Sequence, residues 1–246
     1  MRPDWLTDRP IAHRGWHDAA AGRLENTLGA AEAAMTRGFG IECDVQLSAD
    51  GEAVVFHDER LERLTEGRGE VGALDVATLK ALPLRASAEH IPTLPDLLRR
   101  IGGRVPLVCE IKSRFDGDMR LTDRVAALAA EYPGPLALKS FDPSPIARLR
   151  SAGCALPLGI VAEAGYDDPY FHAMSAEQKR SCAAWLHVEE TRPDFLSWHV
   201  NDLPHAVPSL LRFAGLPILV WTVRTDAQKA LARRFADQIV FEGEPD

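Results

Sequence analysis

The sequence predicts an α/β protein on a mainly parallel sheet, either a closed (β/α)8 barrel or an open doubly wound sheet. Three observations predict it. Short runs rich in Val, Ile and Leu recur along the chain, as strands buried on both faces do. Amphipathic stretches of helical period separate most of them. No linker and no internal repeat interrupts the 246 residues, so 1–246 reads as a single domain.

The strand-like runs are 11–15, 40–47, 53–57, 106–112, 136–141, 158–161, 195–200, 217–223 and 238–241. Helical stretches lie at 26–37, 93–101, 122–132, 143–152, 175–185, 207–214 and 225–235. Gly38 stands where a helix C-terminus wants glycine, and Thr93 with Pro95 makes an N-cap followed by a first-turn proline. One connection differs. Asp50-Gly51 separates two strand-like runs, the signal of a hairpin, so the third strand is expected to return antiparallel without a helix. Nine strand-like runs exceed the eight of a barrel by one; the hairpin can absorb the extra one, but pattern alone does not say which is surplus. Segment 59–89 is polar, turn-rich and weakly periodic, and reads as a loop excursion after the third strand.

Composition narrows the partners. Lys plus Arg is 28 against 36 Asp plus Glu, a net charge of −8. A chain that tracks nucleic-acid phosphates usually carries a basic excess, so that partner is not expected. No run reaches the ~20 apolar residues of a membrane helix. The opening MRPDWLTDRP is too charged for the apolar centre of an export signal, which points to the cytosol. Cys43, Cys109, Cys154 and Cys182 form no CxxC and read as reduced residues of the interior.

Chemistry gathers at the ends of four runs, where a barrel would carry its site. They read His13-Arg14-Gly15, Glu42-Cys43-Asp44, His57-Asp58 and Glu110-Ile111-Lys112, and a later run closes on Trp221-Thr222. Glu42 and Asp44 are two apart and share a face, as do Glu110 and Lys112. Strand interiors avoid unpaired carboxylates, because burying one is costly. Arg14 and Lys112 compensate part of that charge. A metal ion would compensate the rest, and three oxygen donors without Cys favour a hard ion, Mg2+ or Ca2+. A lone His is more often packed or at the surface, which leaves His90, His172, His187, His199 and His205 unassigned. The coincidence of His13 and His57 with three carboxylates and two cations is harder to dismiss.

Taken together, these residues resemble the glycerophosphodiester phosphodiesterases, within the PLC-like phosphodiesterase superfamily. The pattern runs from Ile11-Ala12-His13-Arg14-Gly15 through Glu25-Asn26-Thr27, Ile41-Glu42-Cys43-Asp44-Val45, Asp50-Gly51 and Val54-Val55-Phe56-His57-Asp58. It continues in Ile91-Pro92-Thr93-Leu94, Glu110-Ile111-Lys112, Ser140-Phe141 and Trp221-Thr222-Val223. The resemblance implies a distorted TIM (β/α)8 barrel with a short insertion after the third strand, at 59–89. It implies hydrolysis of glycerophosphodiesters to glycerol 3-phosphate and an alcohol, with one divalent cation. Carried over by position, His13 and His57 match the catalytic pair, and Glu42, Asp44 and Glu110 the metal ligands. Arg14 and Lys112 match cations on the phosphate, Trp221 a substrate contact, and Glu25 and Asn26 a supporting pair. The expected partner is a small-molecule glycerophosphodiester, with no nucleic acid and no membrane insertion.

Two positions depart from the family pattern. Val240-Phe241-Glu242-Gly243 replaces the common Gly-Ile-x-Thr-Asp run, and Arg224 stands where Asn is common. Two other readings compete. A lysophospholipase D-type enzyme on lipid-tailed diesters would want exposed aromatics, for which Trp16, Phe141, Trp198 and Trp221 are candidates against barrel packing. A metal-dependent lyase or isomerase on a sugar phosphate would need one base, usually a Lys, and not two histidines.

Overall fold

The computed structural model describes residues 4–245, so residues 1–3 and 246 of the expected domain lie outside the described residues. The chain forms two compact units. The first comprises Ile11–Lys112 and Arg120–Leu136; the second comprises Met1–Pro10, Ser113–Met119 and Ala137–Asp246.

The first unit holds β1 (Ile11–Ala12), α1 (Leu28–Thr36), β2 (Gly40–Leu47), β3 (Ala53–Val55), α2 (Val76–Ala81), α3 (Leu94–Ile101), β4 (Leu107–Ile111) and α4 (Arg120–Ala130). Strand β2 organises it. Its first residues run parallel to β1, and Ile41 to Val45 run parallel to β4. Its last three residues turn through Asp50-Gly51 and pair antiparallel with β3, Val45 opposite Val55. The hairpin is closed by a hydrogen bond from Ser48 N–H to the Glu52 carbonyl (2.9 Å), and Gly51 supplies the left-handed φ of 86°.

Local chemistry explains the helices. The Thr27 hydroxyl caps α1 at Ala30 N–H, and the chain leaves it through left-handed Gly38. Helix α3 begins on a reciprocal box between Thr93 and Asp96, with Pro95 in its first turn, and ends on left-handed Gly102.

Segment 59–89 is more ordered than its pattern suggests. It contains α2, capped by Asp75 at Thr78 N–H, and a one-turn helix at Val71–Ala73. Leu61, Val71, Leu79 and Leu84 pack with Val54, Phe56 and Ile91. A six-residue helix is too short to display a period, which is why it read as loop.

The second unit holds β5 (Leu136–Ser140), α5 (Pro143–Ser151), β6 (Leu158–Ala162), α6 (Ala176–Ala183), α7 (Val188–Thr191), β7 (Phe195–His199), α8 (Ala206–Phe213), β8 (Ile218–Val223), α9 (Asp226–Phe235) and β9 (Gln238–Phe241). Its strands pair in parallel, each with the next. Phe115, Phe141, Tyr166 and Phe171 form an aromatic cluster, with Trp221 packed against it. Trp198 is buried and stacks on His205 at 4.9 Å, and Trp16 in the first unit packs on Phe39 beneath Arg37. Both are packing residues.

The strand order β1-β9-β8-β7-β6-β5-β4-β2-β3, with β1 also on β2, is that of an eight-stranded parallel (β/α)8 barrel plus one added strand. The surplus strand is β3, the antiparallel arm of the hairpin. Cys43, Cys109 and Cys182 are buried thiols, and Cys154 is half-buried. Among the described residues no helix is long and apolar enough to cross a membrane.

Candidate active site

Sheet register brings three carboxylates together in the first unit. Asp44 pairs with Glu110 across β2 and β4, and Glu42 lies one step before it on the same face. Each offers an oxygen within 4.8 Å of the others, and all three are buried. Cys43 and Cys109 share the register on the opposite face.

Burial of ionised carboxylates is offset by cations. Lys112 Nζ lies 2.9 Å from Asp44 Oδ1 and 2.5 Å from Glu110 Oε1, and Arg14 Nε lies 3.2 Å from Asp44 Oδ2. Burial alone pushes the Asp44 carboxyl up. The charges of Lys112, His57, Arg14 and His13 outweigh it and hold Asp44 well below the usual carboxylate range.

A tight turn after β1 places His13 and Arg14. Arg14 is left-handed at φ 55° and Gly15 at 79°. That turn aims the Arg14 N–H at Glu42 Oε2 (3.1 Å), and His13 Nε2 stands 3.9 Å from the same oxygen. Only glycine fits at position 15, since a Cβ there would meet Ala30 Cβ at 2.8 Å. Asn26, also left-handed, reads Asp44 twice. Its amide donates to Asp44 Oδ2 (3.0 Å), and its Oδ1 accepts the Asp44 backbone N–H (3.2 Å). Glu25 accepts from Arg14 Nη1 at 2.7 Å.

His57 follows β3. The Phe56 N–H donates to the Asp44 carbonyl (3.0 Å), and Gln46 Nε2 donates to the His57 carbonyl (2.9 Å). These bonds fix the His57 backbone beside Asp44. Its Nδ1 lies 2.8 Å from Asp58 Oδ1. Asp58 and Glu25 are joined by a residue the sequence did not single out, Arg63. Its guanidinium donates to both oxygens of each carboxylate, at 2.6–2.9 Å. Arg63 sits in the polar segment 59–89, where an arginine reads as solvated, so no pattern announced it.

Burial pushes the Glu25 carboxyl up, but hydrogen bonds and charges from Arg63 and Arg14 bring it down to about 2. A carboxylate with a depressed folded value stabilises the protein above its unfolded value and loses that contribution as pH falls. The urea midpoint, followed in chelator, is therefore expected to fall as pH drops from about 4.5, the ordinary value, towards about 2. Glu25→Gln should flatten that limb. An identical limb in the variant would show that Glu25 contributes nothing to it.

Trp221 belongs to the second unit. Its Nε1 donates to the Ser197 carbonyl (3.1 Å), and its ring meets Phe141 and His199 edgewise and tilted, at 5.5 and 4.9 Å. The two departures from the family pattern prove to be partners: Arg224 Nε and Nη2 clamp the two Glu242 oxygens at 2.7 and 2.8 Å. Phe241 is buried.

The donors fit a hard divalent cation. Opposite oxygen ligands of Ca2+ stand about 4.6–5.2 Å apart, twice the bond length. The 4.8 Å span of the three carboxylates is therefore within reach of one ion.

A sequence model of the Glycerophosphoryl diester phosphodiesterase family matches residues 13–241. The chain belongs to that family. It is accordingly a phosphoric diester hydrolase. The glycerophosphodiester phosphodiesterase of Caldanaerobacter subterraneus subsp. tengcongensis is 29% identical over 241 residues, covering 94% of this chain and 92% of that protein. The crystal structure of the Thermotoga maritima glycerophosphodiester phosphodiesterase matches with a TM-score of 0.71 at 27% identity, over 94% of this chain and 92% of that one. An Oleispira antarctica phosphodiesterase, solved with its product sn-glycerol-3-phosphate, matches with a TM-score of 0.78 at 24% identity, over 96% and 93%, and shares the fold.

Proposed function

We propose that this family member hydrolyses small glycerophosphodiesters to glycerol 3-phosphate and an alcohol, using one divalent cation, Mg2+ or Ca2+, held by Glu42, Asp44 and Glu110. The observation that carries the reading is the buried three-carboxylate cluster, with a histidine after β1 and another after β3. When bound, the cation would supply Lewis-acid stabilisation of charge on the phosphate oxygens.

The chain's own residues supply the rest. Arg14 and Lys112 attract the phosphate anion and share the charge that develops on it. Asn26 fixes Asp44 through two hydrogen bonds, and Glu25 fixes Arg14. His13 and His57 form the proton-transfer pair. One takes the proton of the nucleophile, either water or the substrate's own glycerol 2-hydroxyl with water then opening the cyclic phosphate, and the other gives a proton to the departing alkoxide oxygen. Trp221 is assigned a contact with the substrate.

The test is release of glycerol 3-phosphate from glycerophosphocholine and of lysophosphatidic acid from lysophosphatidylcholine, each with Mg2+ and with Ca2+. Faster turnover of glycerophosphocholine is expected. Turnover of the lipid alone would replace this reading with the lysophospholipase D one, and turnover of neither would remove both.

A further inference from the structure

One side chain of the inserted segment 59–89 that reaches the site is Arg63. All its bonded partners lie in the first unit. Nε donates to Asp58 Oδ2 (2.6 Å) and Nη2 to Asp58 Oδ1 (2.8 Å). Nη1 donates to Glu25 Oε2 (2.9 Å) and Nη2 to Glu25 Oε1 (2.7 Å). Two carboxylates are thus forked on one planar guanidinium. Each has a second duty: Asp58 Oδ1 meets His57 Nδ1 at 2.8 Å, and Glu25 Oε1 meets Arg14 Nη1 at 2.7 Å.

We propose that Arg63 is a positioning residue, whose guanidinium, anchored on Glu25, holds Asp58 against His57 Nδ1 and so fixes the orientation of the His57 ring for proton transfer. The inference rests on the reading of His57 as a proton-transfer group.

Four considerations carry it. First, the base of the arm is rigid. Leu61 and Thr65, two residues to either side, are fully buried, and Thr65 N–H and Oγ both bond to the Leu61 carbonyl. Second, the guanidinium is fixed in its plane by both oxygens of Glu25, and Arg14 Nη1 also donates to Glu25 Oε1. Third, Asp58 needs holding. It is partly exposed, and a lone exposed pair of Asp58 with His57 would be weak and mobile. The Arg63 fork leaves it one orientation, with Oδ1 on the ring. Fourth, burial pushes Asp58 up, but His57 and Arg63 bring it below the usual carboxylate range, so it is ionised at working pH. An ionised carboxylate only accepts, so Nδ1 is the donor and Nε2 is left to exchange the proton. A lysine offers a point charge and no planar fork, and could not hold both carboxylates in this way.

The experiment is a kinetic cycle on glycerophosphocholine with saturating divalent cation. It compares Arg63→Met, Arg63→Lys, Asp58→Asn and His57→Ala with the doubles Arg63→Met/His57→Ala and Asp58→Asn/His57→Ala, and follows the melting temperature of each. Arg63→Met and Asp58→Asn are expected to lower kcat about 10- to 100-fold, the scale of a misplaced catalytic group. Arg63→Lys should fall between Arg63→Met and wild type. In the His57→Ala background neither change should lower kcat further, because the ring they orient is gone. Asp58→Asn is nearly isosteric and keeps the test open should Arg63→Met fold poorly. Losses that multiply in the doubles, or wild-type kcat in both singles beside a slow His57→Ala, would overturn the positioning role alone. A wild-type rate in His57→Ala itself would overturn the functional reading and the positioning role with it.

Discussion

Replacing Glu42 or Glu110 by Gln, or Asp44 by Asn, is expected to lower glycerophosphodiester hydrolysis by at least 10²–10³-fold, the scale of losing one charge-stabilising group in an active site. Chelation of the wild type should reach a similar floor. The three oxygens sit within 4.8 Å of one another, so the loss of any one spoils the set. An amide keeps the shape and removes the charge. Folding should suffer less than catalysis, since an amide of equal volume leaves the packing of the site in place. Asp44 differs from the other two in degree. Its negative charge also offsets Lys112 and Arg14, and its Oδ2 takes the Asn26 amide. Asp44→Asn should therefore cost the most stability of the three. Hydrolysis rates before and after exhaustive dialysis against EDTA, with readdition of Mg2+ or Ca2+, check this together with the thermal midpoints. Full activity in excess chelator would remove the cation from the account.

The second large effect is at the histidines. His13→Ala and His57→Ala are each expected to cost about 10²–10⁴-fold on glycerophosphocholine, the usual worth of a general acid or base. The two should part company on an activated aryl phosphodiester, whose leaving group departs without a proton. The variant lacking the acid should recover on that substrate, and the variant lacking the base should stay slow. Neither change should unfold the unit, since His13 lies in a turn outside β1 and His57 keeps its place through the backbone bonds of Phe56 and Gln46. Equal deficits on both substrates would refute the division of labour, and near-wild-type rates would remove the pair from the mechanism.

Much of this arrangement was legible in the residues themselves, for physical reasons. Alternation of period two placed Glu42 with Asp44, and Glu110 with Lys112, on shared faces, and the β2–β4 register then brought Asp44 beside Glu110. Asp50-Gly51 announced the hairpin because the turn demands a left-handed residue. What stayed hidden depends on contacts distant in sequence. Strand β1 is only two residues long because the chain turns left-handed at Arg14, and no local pattern predicts that. Helix α2 is shorter than two turns. Asn26 came from family resemblance alone; its two hydrogen bonds to Asp44 span eighteen residues. Arg63 lay in a stretch whose composition reads as solvated loop, and its partner Glu25 is 38 residues away. Arg224 and Glu242 each looked like a departure from the family, and only pairing across β8 and β9 explains them together.

The most direct test of the central claim is phosphorus NMR of glycerophosphocholine incubated with the protein and Mg2+ or Ca2+. The diester resonance is expected to give way to that of glycerol 3-phosphate, with free choline in equal amount, and EDTA is expected to stop the conversion. Phosphocholine and glycerol as products, or an unchanged diester with either cation, would contradict it.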